Sequence, residues 1–115
     1  MSITLSLNED VKRVSEFVRS ELTAKNSSEE TITAFCECAE EIFSSIARAS
    51  SFSGSVILSV EKVRGGMSMR FMNSGSIFNP CPDDKSSVTR RKMDEISFEF
   101  KYGHNVLSLF RKSKI

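Results

Sequence analysis

Between Ser27 and Ser50, in SSEETITAFCECAEEIFSSIARAS, the apolar residues Ile32, Phe35, Ala39, Ile42, Phe43 and Ile46 recur at spacings of three and four. That spacing makes one stripe of an α-helix, and a helix with one apolar stripe has to bury it against another element. Ser27 stands as the N-cap, with Glu30 three residues on as in a capping box. Glu29 and Glu30 add negative charge in the first turn, where the helix dipole favours it. Glu41 and Ser45 are four apart and share the flank beside the stripe.

The rest of the chain reads around this helix. Ser2–Leu7 alternates, with Ile3, Leu5 and Leu7 on one side, as a half-buried strand does. Asn8 can cap a second helix that runs to about Thr23, with Val11, Val14, Phe17, Val18 and Leu22 as its apolar face. Lys25-Asn26-Ser27 is the break between the two helices. Beyond the small-residue loop after Ser50, Val56–Val63 and Met67–Met72 read as strands joined by Arg64-Gly65-Gly66, and Asn73-Ser74-Gly75 ends the second. Ser76–Arg91, with Pro80, Pro82 and Asp83-Asp84, reads mostly as loop. Ile96, Phe98, Phe100 and Tyr102 alternate with polar residues in a strand. Gly103-His104 then turns into a last strand over Asn105–Arg111.

With 115 residues and 39% hydrophobic content the chain has material for one core, so it reads as a single domain over 1–115. The order β-α-α-β-β-loop-β-β, with one apolar face per element, predicts an α+β two-layer sandwich. Both helices pack on one face of a mixed or antiparallel sheet of about five strands. Phe35, Phe43, Phe71, Phe98 and Phe100 are expected in the core.

A net charge of +1 gives no general argument for nucleic acid. The charge is uneven, with an acidic central helix and a basic last third: Arg90, Arg91, Lys92, Lys101, Arg111, Lys112 and Lys114. Cys36 and Cys38 point to opposite sides of a helix, so neither a shared metal nor a bridge between them is expected. With Cys81 and the lone His104 they make no metal-ligand set. The opening MSITLSLNEDVKR lacks a signal-peptide pattern, and no apolar run has the length of a membrane span. The expectation is a cytoplasmic protein with reduced cysteines, no membrane partner and no direct nucleic-acid partner.

AEEIFSSI on the central helix, FMNSGSIFNP after the third strand and MDEISFEFKYGHNVLSLFRK at the end form an ordered set. Together they resemble the anti-sigma-factor serine kinases, of the histidine-kinase-like (Bergerat-fold) ATPase superfamily. In that family a helix glutamate acts as general base or orients it, and an asparagine four residues on ligates Mg²⁺. An aspartate-x-glycine receives adenine, and a glycine-rich lid wraps the triphosphate. The resemblance places Glu41 at the catalytic glutamate. Ser45 stands at the Mg²⁺ asparagine, Asn73 at the aspartate and Gly75 at its glycine, with Phe78 beside them in the nucleotide site.

Two of these are substitutions, Ser45 for an amide ligand and Asn73 for a carboxylate. The glycine-rich box is missing: the lid region 81–92, CPDDKSSVTRRK, contains no glycine. The chain is therefore expected to be a degenerate anti-sigma-like regulator with a vestigial ATP site. Its partner would be a sigma factor or anti-anti-sigma protein, in a homodimer or hetero-complex, and no cofactor is expected. One alternative is an active serine/threonine kinase using MgATP, with Mg²⁺ held through Ser45. The other is a structural subunit that pairs with an intact homologue.

Overall fold

The computed structural model describes residues 2–112. Its elements are β1 (Ser2–Ser6), α1 (Val11–Ala24), α2 (Glu29–Ala49), β2 (Ser55–Val63), β3 (Gly66–Ser74), α3 (Val88–Lys92), β4 (Glu95–Lys101) and β5 (His104–Lys112). The strands form one five-stranded sheet in the order β1-β2-β3-β5-β4. Every neighbouring pair is antiparallel. One core cluster joins the buried faces of α1 and α2 to a single face of the sheet: Leu5, Val56, Leu58, Val60, Met67, Met69, Phe71, Leu107 and Leu109. This is the two-layer α+β sandwich expected from the pattern of apolar faces, with an all-antiparallel sheet.

The helix junction corrects the capping assignment. α1 ends in a Schellman motif: the Ser27 N–H donates to Leu22 O at 3.0 Å and the Asn26 N–H to Thr23 O at 3.1 Å. Asn26 takes the left-handed conformation at φ 59°. Ser27 is thus used to finish α1, and the N-cap of α2 falls to Ser28, whose side chain accepts from the Thr31 N–H. Likewise Asp10, not Asn8, caps α1, while Asn8 Oδ1 accepts from the Ser6 hydroxyl at 2.6 Å.

The buried arc of α2 is wider than one stripe, adding Thr31, Ala34, Cys36, Cys38 and Ala47. The reason is that α2 has a neighbour on each flank. The Cys36 thiol meets Ser15 O of α1 at 3.5 Å, and Cys38 faces Thr89 of α3. The two cysteines do point apart, and both are buried. All three cysteines are free thiols, and burial pushes the Cys38 thiol up to about 12.

Four further expectations shift. Gly66 belongs to β3, opposite Val63, so the β2–β3 turn is Arg64-Gly65. Tyr102-Gly103 makes the β4–β5 turn, with φ 53° and 77°, and His104 pairs with Lys101 inside the ladder. Such double positive φ suits a two-residue hairpin turn. Phe100 is 41% exposed, so it is not core: β4 is an edge strand without a helix over its C-terminal half. The end of the segment read as loop, Ser76–Arg91, is helical: α3 begins at Val88 and runs one residue past it, to Lys92. The basic third does not gather into one patch. Arg90 bonds Pro82 O and pairs with Asp83, and Arg111 reaches back to Glu30 and to Lys92 O. Lys114 lies outside the described residues.

Candidate functional site

The resemblance nominated five residues, and the structure divides them between two places. Asn73, Gly75 and Phe78 meet the C-terminal turn of α2, at Ile46, Ala49 and Ser50, around a cavity of about 250 Å³. Glu41 lies two turns earlier on α2, roughly 12 Å along the axis from Ala49 at 1.5 Å per residue. Half-buried Ser45 sits between them on the same flank and does not line the cavity.

Asn105, opposite Asn73 in the β3–β5 ladder, holds the segment that lines the cavity. On β5, residues 105, 107 and 109 all face the core, and Asn105 is 2% exposed. Its side-chain amide donates to Ser76 O at 2.9 Å, and its carbonyl accepts from the Phe78 N–H at 2.8 Å. The chain leaving β3 is thereby pinned across the sheet. The Gly75 N–H bonds Gly103 O at 3.2 Å, and the Ser74 hydroxyl bonds His104 Nδ1 at 3.0 Å. Gly75 holds φ +137°, and a Cβ there would meet no atom within 4 Å. The glycine is therefore required by its backbone angle, and the space in front of it is open.

Sequence reasoning missed Asn105 as a site residue. The available signal was a polar residue at a core-facing position of an otherwise apolar alternation, which needs internal partners. We expect Asn105→Ala to lower unfolding free energy in urea by about 2 kcal/mol, since it strands a carbonyl and an N–H at once. An unchanged urea midpoint would show that the 76–78 segment is held by other contacts.

Glu41 is engaged by the lid region itself. Its Oε1 accepts from the Ser87 hydroxyl at 2.6 Å and the Thr89 N–H at 3.1 Å, and its Oε2 from the Val88 N–H at 3.2 Å. Ser87 is also the N-cap of α3. The carboxylate therefore receives the first N–H groups of a helix, which otherwise lack partners. Burial pushes its pKa up. The hydrogen bonds from Ser87, Thr89 and Val88 outweigh that and hold it below the ordinary carboxylate value. The Thr89 hydroxyl, fully buried near Glu41 and Cys38, acts on both without a hydrogen bond of normal geometry.

The remainder of the lid is fastened to itself. Asn79 Oδ1 accepts from the Cys81 N–H, Asp84 from the Ser86 N–H, and the Arg90 guanidinium bonds Pro82 O.

These residues do not fit Mg²⁺. Glu41 already accepts two hydrogen bonds at Oε1 and one at Oε2 from proton donors of the chain, and among the described residues no group of three His, Cys, Asp or Glu side chains comes together for a metal. A triphosphate fits no better. The cavity, about 250 Å³, is below the roughly 300–1,000 Å³ of ordinary ligand pockets, and the first N–H groups of α3 are turned to Glu41. Neither a protein-family model nor a curated protein matches this sequence.

Proposed function

We propose that this chain is a regulatory protein of anti-sigma type that works by binding another protein and does not transfer phosphate. The observation that carries this reading is the closure of the lid onto Glu41. The residue at the general-base position is spent as the cap of α3 and accepts from three groups of the chain itself. Ser45 and Asn73, in place of stronger ligands, point the same way. The partner class, a sigma factor or an anti-anti-sigma protein, rests on the resemblance of AEEIFSSI, FMNSGSIFNP and the closing hairpin. A cytoplasmic setting accords with three free, buried thiols. Among the described residues no helix is long and apolar enough to cross a membrane.

The kinase reading retains one favourable observation, the cavity walled by Asn73 and Gly75, and one experiment separates the two. In a melting curve with millimolar MgATP the midpoint should stay where it is without nucleotide. A ligand at a hundred times its dissociation constant adds about 2.7 kcal/mol, which moves the midpoint of a domain this size by roughly 10 °C. A magnesium-dependent rise of that order, abolished by Asn73→Ala and accompanied by phosphate transfer to an anti-anti-sigma protein, would establish the kinase instead.

A further inference from the structure

β4 ends the sheet, and among the described residues no strand pairs with its outer side. An edge of this kind presents a row of unpaired N–H and C=O groups, which proteins usually guard with proline, a bulge or an inward-pointing charge. β4 has no proline, bulge or inward-pointing charge; the charges that guard it against indiscriminate pairing, Glu95, Glu99 and Lys101, all lie on its solvent side and admit only a partner strand that complements them. β4 pairs with β5 in unbroken register over all seven residues. Its core-side positions are Ile96, Phe98 and Phe100, the first two half-buried against the core and the third 41% exposed.

The sequence of β4, Glu95-Ile96-Ser97-Phe98-Glu99-Phe100-Lys101, complements itself. Run antiparallel against a second copy about a two-fold axis at Phe98, it sets Phe98 opposite Phe98 and Ile96 opposite Phe100 on the helix side. On the solvent side Glu95 falls opposite Lys101, and Ser97 opposite Glu99. Oppositely charged and aromatic pairs placed directly across a ladder are the favourable ones. Inside one chain neither Glu95 nor Lys101 has an ion-pair partner among the described residues; Lys101 Nζ rests 5.6 Å from the Tyr102 ring centroid. The acidic start of α2 and the basic C-terminus do not offer the same complement across an interface, because Arg111 and Glu30 already pair within the chain.

We propose that two copies of this chain associate through the free edges of β4, antiparallel and centred on Phe98, so that their sheets join into one. Such a contact is isologous: each copy gives one Glu95 and one Lys101 to two equivalent charge pairs. The proposal stands on β4 alone and does not depend on what the cavity holds.

Sedimentation equilibrium on the full chain tests it, with circular dichroism to verify that each variant is folded. The wild type should show a monomer–dimer equilibrium. Lys101→Glu sets like charges across both ends and should weaken the dimer about tenfold. The charge swap, Glu95→Lys with Lys101→Glu, should bring dissociation back to within about threefold of wild type, because it re-creates both pairs in reverse. Phe100→Ser should weaken the dimer while leaving the monomer folded, since this side chain is largely outside the core. A monomer at every concentration, a dimer indifferent to Lys101→Glu, or a swap that fails to restore association each overturns the proposal.

Discussion

Glu41→Ala should lower the melting midpoint by about 10 °C, through a loss of roughly 3 kcal/mol in a domain of this size. The substitution removes one acceptor and strands three donors. The Ser87 hydroxyl and Thr89 N–H lie in residues that are 4% and 0% exposed, so water does not replace the carboxylate without α3 lifting away. A buried donor left without a partner costs about 1–3 kcal/mol, and Glu41→Ala creates more than one. Glu41→Gln keeps one acceptor oxygen but adds an N–H that would face other donors, so an intermediate loss is expected. Ser87→Ala should cost about 1 kcal/mol as the loss of a helix cap. The two positions share a hydrogen bond, so the double variant should lose less than the sum of the single losses.

The same carboxylate gives a signed pH dependence. Its folded pKa is depressed below the ordinary value of 4.5. The stability it adds is therefore fully present above that value and is lost as pH falls through the lower, folded one. The gap between the wild-type and Glu41→Gln midpoints should be constant near neutrality and narrow only in acid below that ordinary value. A Glu41 serving chiefly as a catalytic base would behave otherwise, because its substitution would leave the midpoint near that of wild type. That result would sink the reading of α3 as a clasp.

The fold was legible because each apolar face had one economical place to go. Val14, Val18 and Leu22 on α1, and Leu5, Leu58, Met69 and Leu109 in the strands, all end in one cluster. The helix boundaries were less legible for a local reason. Ser27 and Ser28 are equally good caps by residue type, and the choice is made by the left-handed turn at Asn26 that finishes α1. Phe100 was misplaced because alternation marks a face without showing whether anything covers it. The site was half legible. Asn73, Gly75 and Phe78 do gather, and the residue that pins their segment, Asn105, lies about 30 positions away, where only the β3–β5 register brings it near. α3 is too short to show a helical period, yet Ser87 ahead of Val88-Thr89-Arg90-Arg91-Lys92 was a usable start signal. That Glu41 would accept from its N-terminal N–H groups is a tertiary fact, absent from any spacing.

Gly66→Ala should destabilise the chain by about 3 kcal/mol, at the upper end of ordinary overpacking. The cause is close approach rather than an unusual backbone angle. Gly66 is buried in β3 opposite Lys112 of β5. A Cβ there would run into the Arg111 carbonyl oxygen and come within 2.9 Å of the Phe110 ring. The carbonyl belongs to the neighbouring strand, so relief requires β3 and β5 to part. β3 is central, with β2 on its other side, and any shift is passed to a second ladder. Neighbouring Gly65 is the control. Its φ is +85° and nothing lies within 4 Å of a Cβ built there, so Gly65→Ala should cost only the left-handed conformation, about 1 kcal/mol. Gly65→Asn should cost less still, since asparagine tolerates that region. Removing the ring in Gly66→Ala/Phe110→Ala should recover little, because the backbone collision remains. Urea midpoints of the four variants decide the matter. A Gly66→Ala midpoint close to that of wild type, or full recovery on truncating Phe110, would mean that β3 and β5 separate freely and that the side chain was the only obstacle.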